Sequence, residues 1–387
     1  MKPQIKIILS NFFFEYETPR QVLVRNKKVA VACRIIQMGV LGYIIGWVFM
    51  YEKGYHAIDT AIGSVFTKMK GVSLTNISGE ERIWDAADFV FPEQGASSFV
   101  VMTNYIATVG QQQDKCPEVV CSDQHQSFYT LLFPYGIMSL SGQMTGRCIS
   151  NTSTCEIYSW CPVEDDRQIP DPAILLTSEN YTLFIKNSIT FPHFNVVRSN
   201  LVESVNQSYI NTCLYHPKTD PLCPIFRLGD IVELSGFSFS EIARLGGAIG
   251  LLIDWDCNLD LSIRHCEPKY EFYGLYGTGR NDKEKPSLGY NFRYAKYYVE
   301  KGVEKRTLMK VFGVRIDIIV NGRAGKFDII PTLTAIGSGV GIFGVATVVC
   351  DLLLLHFVTK KDFYKNMKFK HTEIPEEVKT QDGSRDT

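Results

Sequence analysis

The chain has 387 residues, 45% of them hydrophobic and 21% charged, with a formal net charge of −1. That is too apolar for a disordered chain, and it lacks the basic excess that a nucleic-acid partner leaves, so both classes are excluded. The sum hides a segregation: +4 over residues 1–28, −6 over 51–328 and +1 over 359–387, with Arg34 and Asp351 between them in two otherwise uncharged stretches.

Residues 1–28 read as a basic N-terminal segment. The first uncharged stretch, 29–50 (VAVACRIIQMGVLGYIIGWVFM), would form a helix about 33 Å long, enough to cross the hydrocarbon core. Trp47 and Tyr51 stand near its end, where amphipathic aromatics favour the membrane boundary. Its apolar run is too long for the core of a cleavable signal peptide, so the sequence predicts an uncleaved signal-anchor.

A 278-residue loop, 51–328, follows. Runs such as SSFVVMTNYIATV, NYTLFIKNSITF and VFGVRIDIIV are rich in β-branched and aromatic residues and predict strands. SFSEIARL, 238–245, predicts a short helix with Ser240 as a possible N-cap. Three pairs of residues two apart would each share one face of a strand: Lys68 and Lys70, Thr182 and Phe184, Asn291 and Arg293. Alternating lysines are more often a solvated edge than a site, and spacing alone does not bring the three segments together. All four N-x-S/T sequons, at Asn76, Asn151, Asn180 and Asn206, fall in this loop. So do nine of the eleven cysteines: Cys116, Cys121, Cys148, Cys155, Cys161, Cys213, Cys223, Cys257 and Cys266. Both features predict an oxidising, non-cytosolic side, with the cysteines forming a disulfide framework. No CxxC pair exists and the histidines are scattered, so no metal site is predicted. Nine is odd, so at least one of these thiols has no intrachain partner.

The second apolar stretch, 329–358, predicts a helix longer than the bilayer requires. Pro331 suits its first turn, where the missing amide hydrogen has no partner. Thr334, Gly337, Ser338, Gly341 and Val345 recur at helical spacing, so small and polar residues share a face. That stripe is either close helix packing or the lining of an aqueous path, and a single helix encloses a path only in an oligomer. Asp351 adds a carboxylate inside the span, where charge is expensive and usually faces protein or water. Gly339, Gly341 and Gly344 fit the GxGxxG spacing of dinucleotide sites but lack the preceding strand, and Gly322–Lys326 lacks the spacing of a Walker loop. The sequence carries no signature of catalysis.

Residues 359–387 form a second basic flank, with Lys360, Lys361, Lys365, Lys368 and Lys370 close to the span. Basic flanks at both outer ends place both termini in the cytosol and the loop outside.

Several blocks carry a resemblance over nearly the whole chain. FEYETPRQVLVRNKK and GWVFMYEKGY flank the first span; CEIYSWCPVEDD, NYTLFIKNSITFP, TDPLCPIFRLGDIV and IDWDCNLD follow in the loop. GYNFRYAKYY, RAGKFDIIPT, ATVVCDLLLL and a cytosolic YxxxK, Tyr364 to Lys368, complete the series. The chain resembles the P2X purinoceptors, trimeric ATP-gated cation channels, and looks closest to their subtype one. The resemblance implies two transmembrane helices per subunit and a large β-rich, disulfide-bonded ectodomain. It implies a plasma-membrane channel passing Na⁺, K⁺ and Ca²⁺, built as a homotrimer, with heterotrimers of related subunits also open. ATP is then an extracellular agonist, alone or with Mg²⁺ or Ca²⁺, and no cofactor is implied.

Carried over by motif, Lys68, Lys70, Thr182 and Phe184 of one subunit and Asn291, Arg293 and Lys310 of its neighbour would hold ATP. The gate would lie within Thr334–Val345. Thr18, in Thr18-Pro19-Arg20, matches a cytosolic phosphorylation element. The family's pairing implies Cys116–Cys161, Cys121–Cys148, Cys213–Cys223 and Cys257–Cys266, and leaves Cys155 free or externally capped because one family cysteine is missing. Two other classes share part of this pattern. Acid-sensing and epithelial sodium channels share the topology but are longer and lack these blocks; a membrane-anchored nucleotide ectoenzyme would need a hydrolytic base or metal cluster.

Overall fold

The computed structural model describes residues 27–77, 79–92, 97–117, 141–149, 154–203, 205–275, 289–356 and 361–368. In chain order its elements begin with α1 (Lys27–Tyr43), prolonged by a π-helical stretch Ile44–Tyr51, then β1 (His56–Thr60), β2 (Ile62–Lys70), β3 (Ser73–Ile77) and β4 (Glu80–Trp84). Next come α2 (Ala86–Phe89), β5 (Val90–Phe91), β6 (Ser98–Pro117), β7 (Gln143–Ile149), β8 (Thr154–Cys161), β9 (Thr182–Phe191) and β10 (Val196–Ser199). Then follow α3 (Gln207–Thr212), β11 (Ile225–Arg227), α4 (Leu228–Leu234), α5 (Phe239–Leu245), β12 (Gly247–Asn258) and β13 (Pro268–Gly274). The last are β14 (Asn291–Glu300), β15 (Val303–Phe327), α6 (Ile329–His356) and α7 (Lys361–Lys368). These fall into two compact units: the two ends of the chain, up to Ala57 and from Phe327, and Ile58–Lys326 between them.

The end unit holds the two helices long and apolar enough to cross a membrane, Lys27–Tyr51 and Ile329–His356. Ile44, the buried residue of the π-helical stretch, packs on Gly339, where an added Cβ would stand 3.2 Å from the isoleucine side chain. The wider π turn is visible in Glu52 N donating to Trp47 O at 2.9 Å, five residues back. Trp47 and Tyr51 stack with centroids 4.6 Å apart. At the other helix, Asp328 Oδ1 accepts from Ile330 N at 2.7 Å and so caps α6. The buried positions of α6 are Ala335, Gly339, Ala346 and Leu354, a face four or seven residues in period.

The middle unit is β-rich. One sheet runs β13-β12-β15-β6-β8-β7, with β14 also on β15 and β5 on β6. β12 and β15 pair in parallel from Gly247 opposite Val314 to Asn258 opposite Gly325. A second sheet is centred on β9, which pairs β2 along one edge and β10 and β11 along the other. Fully buried side chains such as Leu183, Ile185, Phe226, Leu251, Trp255 and Val314 fill the core, each contributing about 1.5–3 kcal/mol of burial. Polar groups at its centre are paired: Trp255 Nε1 donates to Asn187 Oδ1 at 2.8 Å, and Asn187 Nδ2 donates to Ser64 O at 2.9 Å.

Disulfides join Cys116 to Cys161, Cys213 to Cys223 and Cys257 to Cys266, with Cα separations of 5.9, 6.0 and 4.7 Å. Two expectations are corrected. Cys155 is disulfide-bonded, not free or externally capped. Its Cα partner across the β7–β8 ladder is Cys148, a juxtaposition that counting cysteines along the chain does not reveal. The expected Cys121–Cys148 link involves Cys121, which lies outside the described residues. Ser240 is not an N-cap: α5 begins at Phe239, and Ser238 is the flanking residue. The helix starts too early for Ser240, whose hydroxyl instead meets that of Ser238 at 3.0 Å.

Candidate functional site

β2 alternates sharply at its end, with Thr67 and Met69 buried and Lys68 and Lys70 exposed. Met69 joins the core, and that anchoring turns both lysines outward. On β9, Lys68 stands opposite Phe184 and Lys70 opposite Thr182. Residues directly opposite on antiparallel strands point to one side, so four of the expected ligands share one face. Lys186 shares it too: it is exposed, two residues beyond Phe184 and opposite Phe66. Sequence reasoning missed it, although the same period-two rule extended one step along NYTLFIKN finds it. On the far edge Arg227 stands opposite Thr182, but its guanidinium is committed to Asp230 at 2.7 and 2.9 Å.

Buried groups beside Lys70 and Thr182 fix this row. Tyr181, only 2% exposed, stacks on Phe89 at 4.3 Å, and its hydroxyl hydrogen-bonds that of Ser73. Ser73 also meets the Thr177 hydroxyl at 2.6 Å. Burial pushes the Tyr181 phenol above its ordinary pKa. A Cβ on Gly71 would lie 2.2 Å from the Tyr181 ring, so a larger residue cannot follow Lys70 without displacing the tyrosine.

The other expected ligands lie in the other sheet. Arg293 on β14 is paired with Lys310 on β15, and Asn291 with Phe312. Both cations are already engaged. Arg293 Nε donates to Glu164 Oε2 at 2.6 Å and Nη2 to Asp166 Oδ2 at 3.3 Å; Lys310 Nζ donates to the same Asp166 oxygen at 2.6 Å. The lysine is 12% exposed and Glu164 14%. The hydrogen bond and charge of Lys310, aided by Arg293, hold the Asp166 carboxyl below the usual carboxylate range. Glu164 Oε1 is buried without a hydrogen-bond partner, which offsets part of what the ion pairs contribute. Neither carboxylate was singled out from sequence, because each is more than a hundred residues from its partners.

In the end unit, Thr334, Gly337, Ser338, Gly341, Val345 and Asp351 are all exposed on α6, away from its buried face. Added Cβ atoms at Gly337 and Gly341 would meet nothing within 4 Å. Thr334 and Ser338 donate to the carbonyls of Pro331 and Ala335 at 2.8 and 2.9 Å. With the protons so committed, each hydroxyl oxygen presents lone pairs outward.

Of the sequons, Asn76, Asn180 and Asn206 are exposed, and in each Oδ1 accepts a hydrogen bond, from Gly79 N, Arg227 and Tyr209 N respectively. The amide nitrogen, the atom a glycan would occupy, is not the atom those bonds use. Asn151 and Thr18 lie outside the described residues. Among the described residues no three His, Cys, Asp or Glu groups are placed to hold a metal ion.

Residues 14–371 match the family model described as ATP P2X receptor. The chain belongs to the P2X receptor family. It is 46% identical to P2X purinoceptor 4 of Mus musculus, over 95% of each chain, and 47% identical to that of Bos taurus, again over 95% of each. P2X purinoceptor 5 of Homo sapiens is 42% identical over 92% of this chain and 81% of its own length. Among solved structures, a P2X receptor of the Gulf Coast tick, crystallised with ATP and Zn²⁺, superposes with a TM-score of 0.72 at 40% identity, covering 83% of this chain and 99% of that one. The chicken ATP-gated P2X7 receptor, with the competitive antagonist TNP-ATP, gives 0.70 at 36% identity, covering 85% and 100%. As a P2X receptor, this chain is a subunit of a trimeric ATP-gated cation channel of the plasma membrane, with two spans and cytosolic termini, and not an enzyme.

Proposed function

We propose that ATP is held between two subunits, with the Lys68, Lys70, Thr182, Phe184 and Lys186 face of one chain turned towards Asn291, Arg293 and Lys310 of its neighbour. The observation that carries this reading is the strand register, which gathers seven expected ligands into two basic ladders on two different sheets. Five cations suit a triphosphate bearing nearly four negative charges. Arg293 offers a bidentate fork, whereas the lysines act as movable point charges. Thr182 can donate or accept at the adenine edge, and Phe184 gives the base an apolar floor. The triphosphate would displace Glu164 and Asp166 from Arg293 and Lys310, so those carboxylates compete with ATP for the same cations.

A site shared by two chains makes binding pull subunits together. ATP opens the pore only by binding the open arrangement more tightly than the closed one. A shift from 1:99 to 99:1 needs about 5.5 kcal/mol; divided over three interfaces, that is roughly a 20-fold preference at each. Lys310 lies on β15, whose last residue, Phe327, is followed after one residue by α6, so the ligand-bearing strand leads directly into the pore helix in sequence. The exposed stripe Thr334–Val345, with Asp351 beyond it, is then the gate and pathway. Its hydroxyl oxygens and backbone carry few fixed charges, which suits passage of Na⁺, K⁺ and Ca²⁺ with limited discrimination. Lys70→Ala and Arg293→Ala test the reading: each raises the ATP concentration needed for current about 10- to 100-fold, the loss of one charge-assisted contact, while surface labelling stays constant. An unchanged response in both would sink it.

A further inference from the structure

We propose that Cys33 and Cys350 form a dithiol site on the two spans of one subunit, taking a soft thiophilic ligand that bonds two sulfurs at once. Both cysteines are free and half-buried, and their side chains lie close enough to interact. The packing of the two helices supports the pairing independently. Ile44 rests on Gly339, and eleven residues from that contact along each helix, back on the first and forward on the second, stand Cys33 and Cys350. Eleven residues make three turns to within about 20°, so one contact repeats as the other. On α6, Cys350 lies one turn from Ala346 and one from Leu354, both buried on the same face.

Position decides which ligand fits. Cys33 lies five residues beyond Lys28, and Cys350 six before His356, so both are about 8–9 Å along their helices from the cytosolic ends. The cytosol keeps thiols reduced, which favours a dithiol over a standing disulfide. A disulfide also requires about 2.05 Å between sulfurs, and neither cysteine forms one. A bridging heavy atom, with two bonds to sulfur of about 2.3 Å, joins thiols that stay farther apart than a disulfide requires. Thiolate sulfur selects soft partners, and trivalent arsenic is such an atom. With an organoarsenic oxide, two As–S bonds form, the arsenic–oxygen bond breaks, the oxygen takes both thiol protons, and water leaves with no change of oxidation state. The product ties α6 to the first span. Its effect on current rests on the reading of α6 as the moving pore helix; the ligation itself does not.

The test applies phenylarsine oxide to the cytosolic face of patches bearing the full-length channel, with ATP on the outer face. We expect current to fall at least fivefold, to stay low in 2-mercaptoethanol, and to recover in 2,3-dimercaptopropanol, the reversal pattern of a dithiol. Cys33→Ala and Cys350→Ala should each keep ATP-evoked current and lose the block. Peptide mass spectrometry after maleimide labelling should show both cysteines protected together by the arsenical. A block that survives in either single variant, or equal reversal by the monothiol, overturns the site. Joint protection with unchanged current overturns its coupling to the pore and leaves the ATP site untouched.

Discussion

Removing Glu164 and Asp166 as competitors should make the channel more sensitive to ATP. The perturbation is the pair Glu164→Gln and Asp166→Asn, which keeps side-chain size and deletes both charges. Arg293 and Asp166 are 46% and 44% exposed, so their ion pairs are screened and each is worth well under a buried pair. Lys310 and Glu164 are mostly covered, at 12% and 14%, which raises the contribution of their contacts. Allowing about 0.5–1 kcal/mol for each carboxylate, the double variant gains about 1–2 kcal/mol at each site. That moves the half-activating ATP concentration roughly tenfold downwards. The assay is a concentration–response series of ATP-evoked current in a bath without divalent cations, so that free ATP alone is compared, with surface expression measured in parallel. A half-activating concentration that stays constant or rises refutes the idea that these carboxylates compete with phosphate.

Lys186→Ala should weaken ATP activation in the same direction as Lys70→Ala, by about 10-fold or more, whereas Lys269, exposed on β13 of the other sheet, should tolerate alanine; equal responses in both would remove Lys186 from the site. Tyr181→Phe removes only the hydroxyl that meets Ser73, and a shift of about 2- to 10-fold in half-activation with unchanged maximal current is expected; no shift would mean that the ring alone holds Lys70 and Thr182 in place. The Asp166 carboxyl is held below its ordinary value, so its ion pair is present above the carboxylate range and is lost only as pH falls through that lowered value. Any change in ATP sensitivity between about pH 7.5 and 6 should therefore persist in Asp166→Asn, and its disappearance would contradict the assignment. Because Cys155 is disulfide-bonded, a membrane-impermeant maleimide on intact cells should label it only after reduction; labelling without reductant would restore a free thiol there.

Much of this architecture was legible in the residues. Two uncharged stretches bounded by lysines announce the spans, because a bilayer excludes charge by length and composition alone. The long β-branched runs became strands where expected, and period two alone placed Lys68 with Lys70 and Thr182 with Phe184 on common faces. What period two cannot supply is the partner strand: that Lys70 faces Thr182, more than a hundred residues away, is a property of the sheet. The same limit hid Glu164 and Asp166. It also misled the cysteine reading, since Cys155 meets its surroundings through the β7–β8 ladder and not through its rank along the chain. The blocks that revealed the family are shared across it: relatives of subtypes four and five match at 42–47%.

The central claim is that one ATP site takes Lys70 from one chain and Arg293 from the next. A concatenated trimer carrying Lys70→Ala in two subunits and Arg293→Ala in the third tests it by direct binding of radiolabelled ATP to the purified protein. If each site is shared between neighbours, the three interfaces differ: one lacks both groups, one lacks the lysine, and one keeps both. The account predicts one site of wild-type affinity per trimer. If Lys70 and Arg293 served the same site within a single chain, every site would be impaired, and the absence of any wild-type-affinity binding would contradict it.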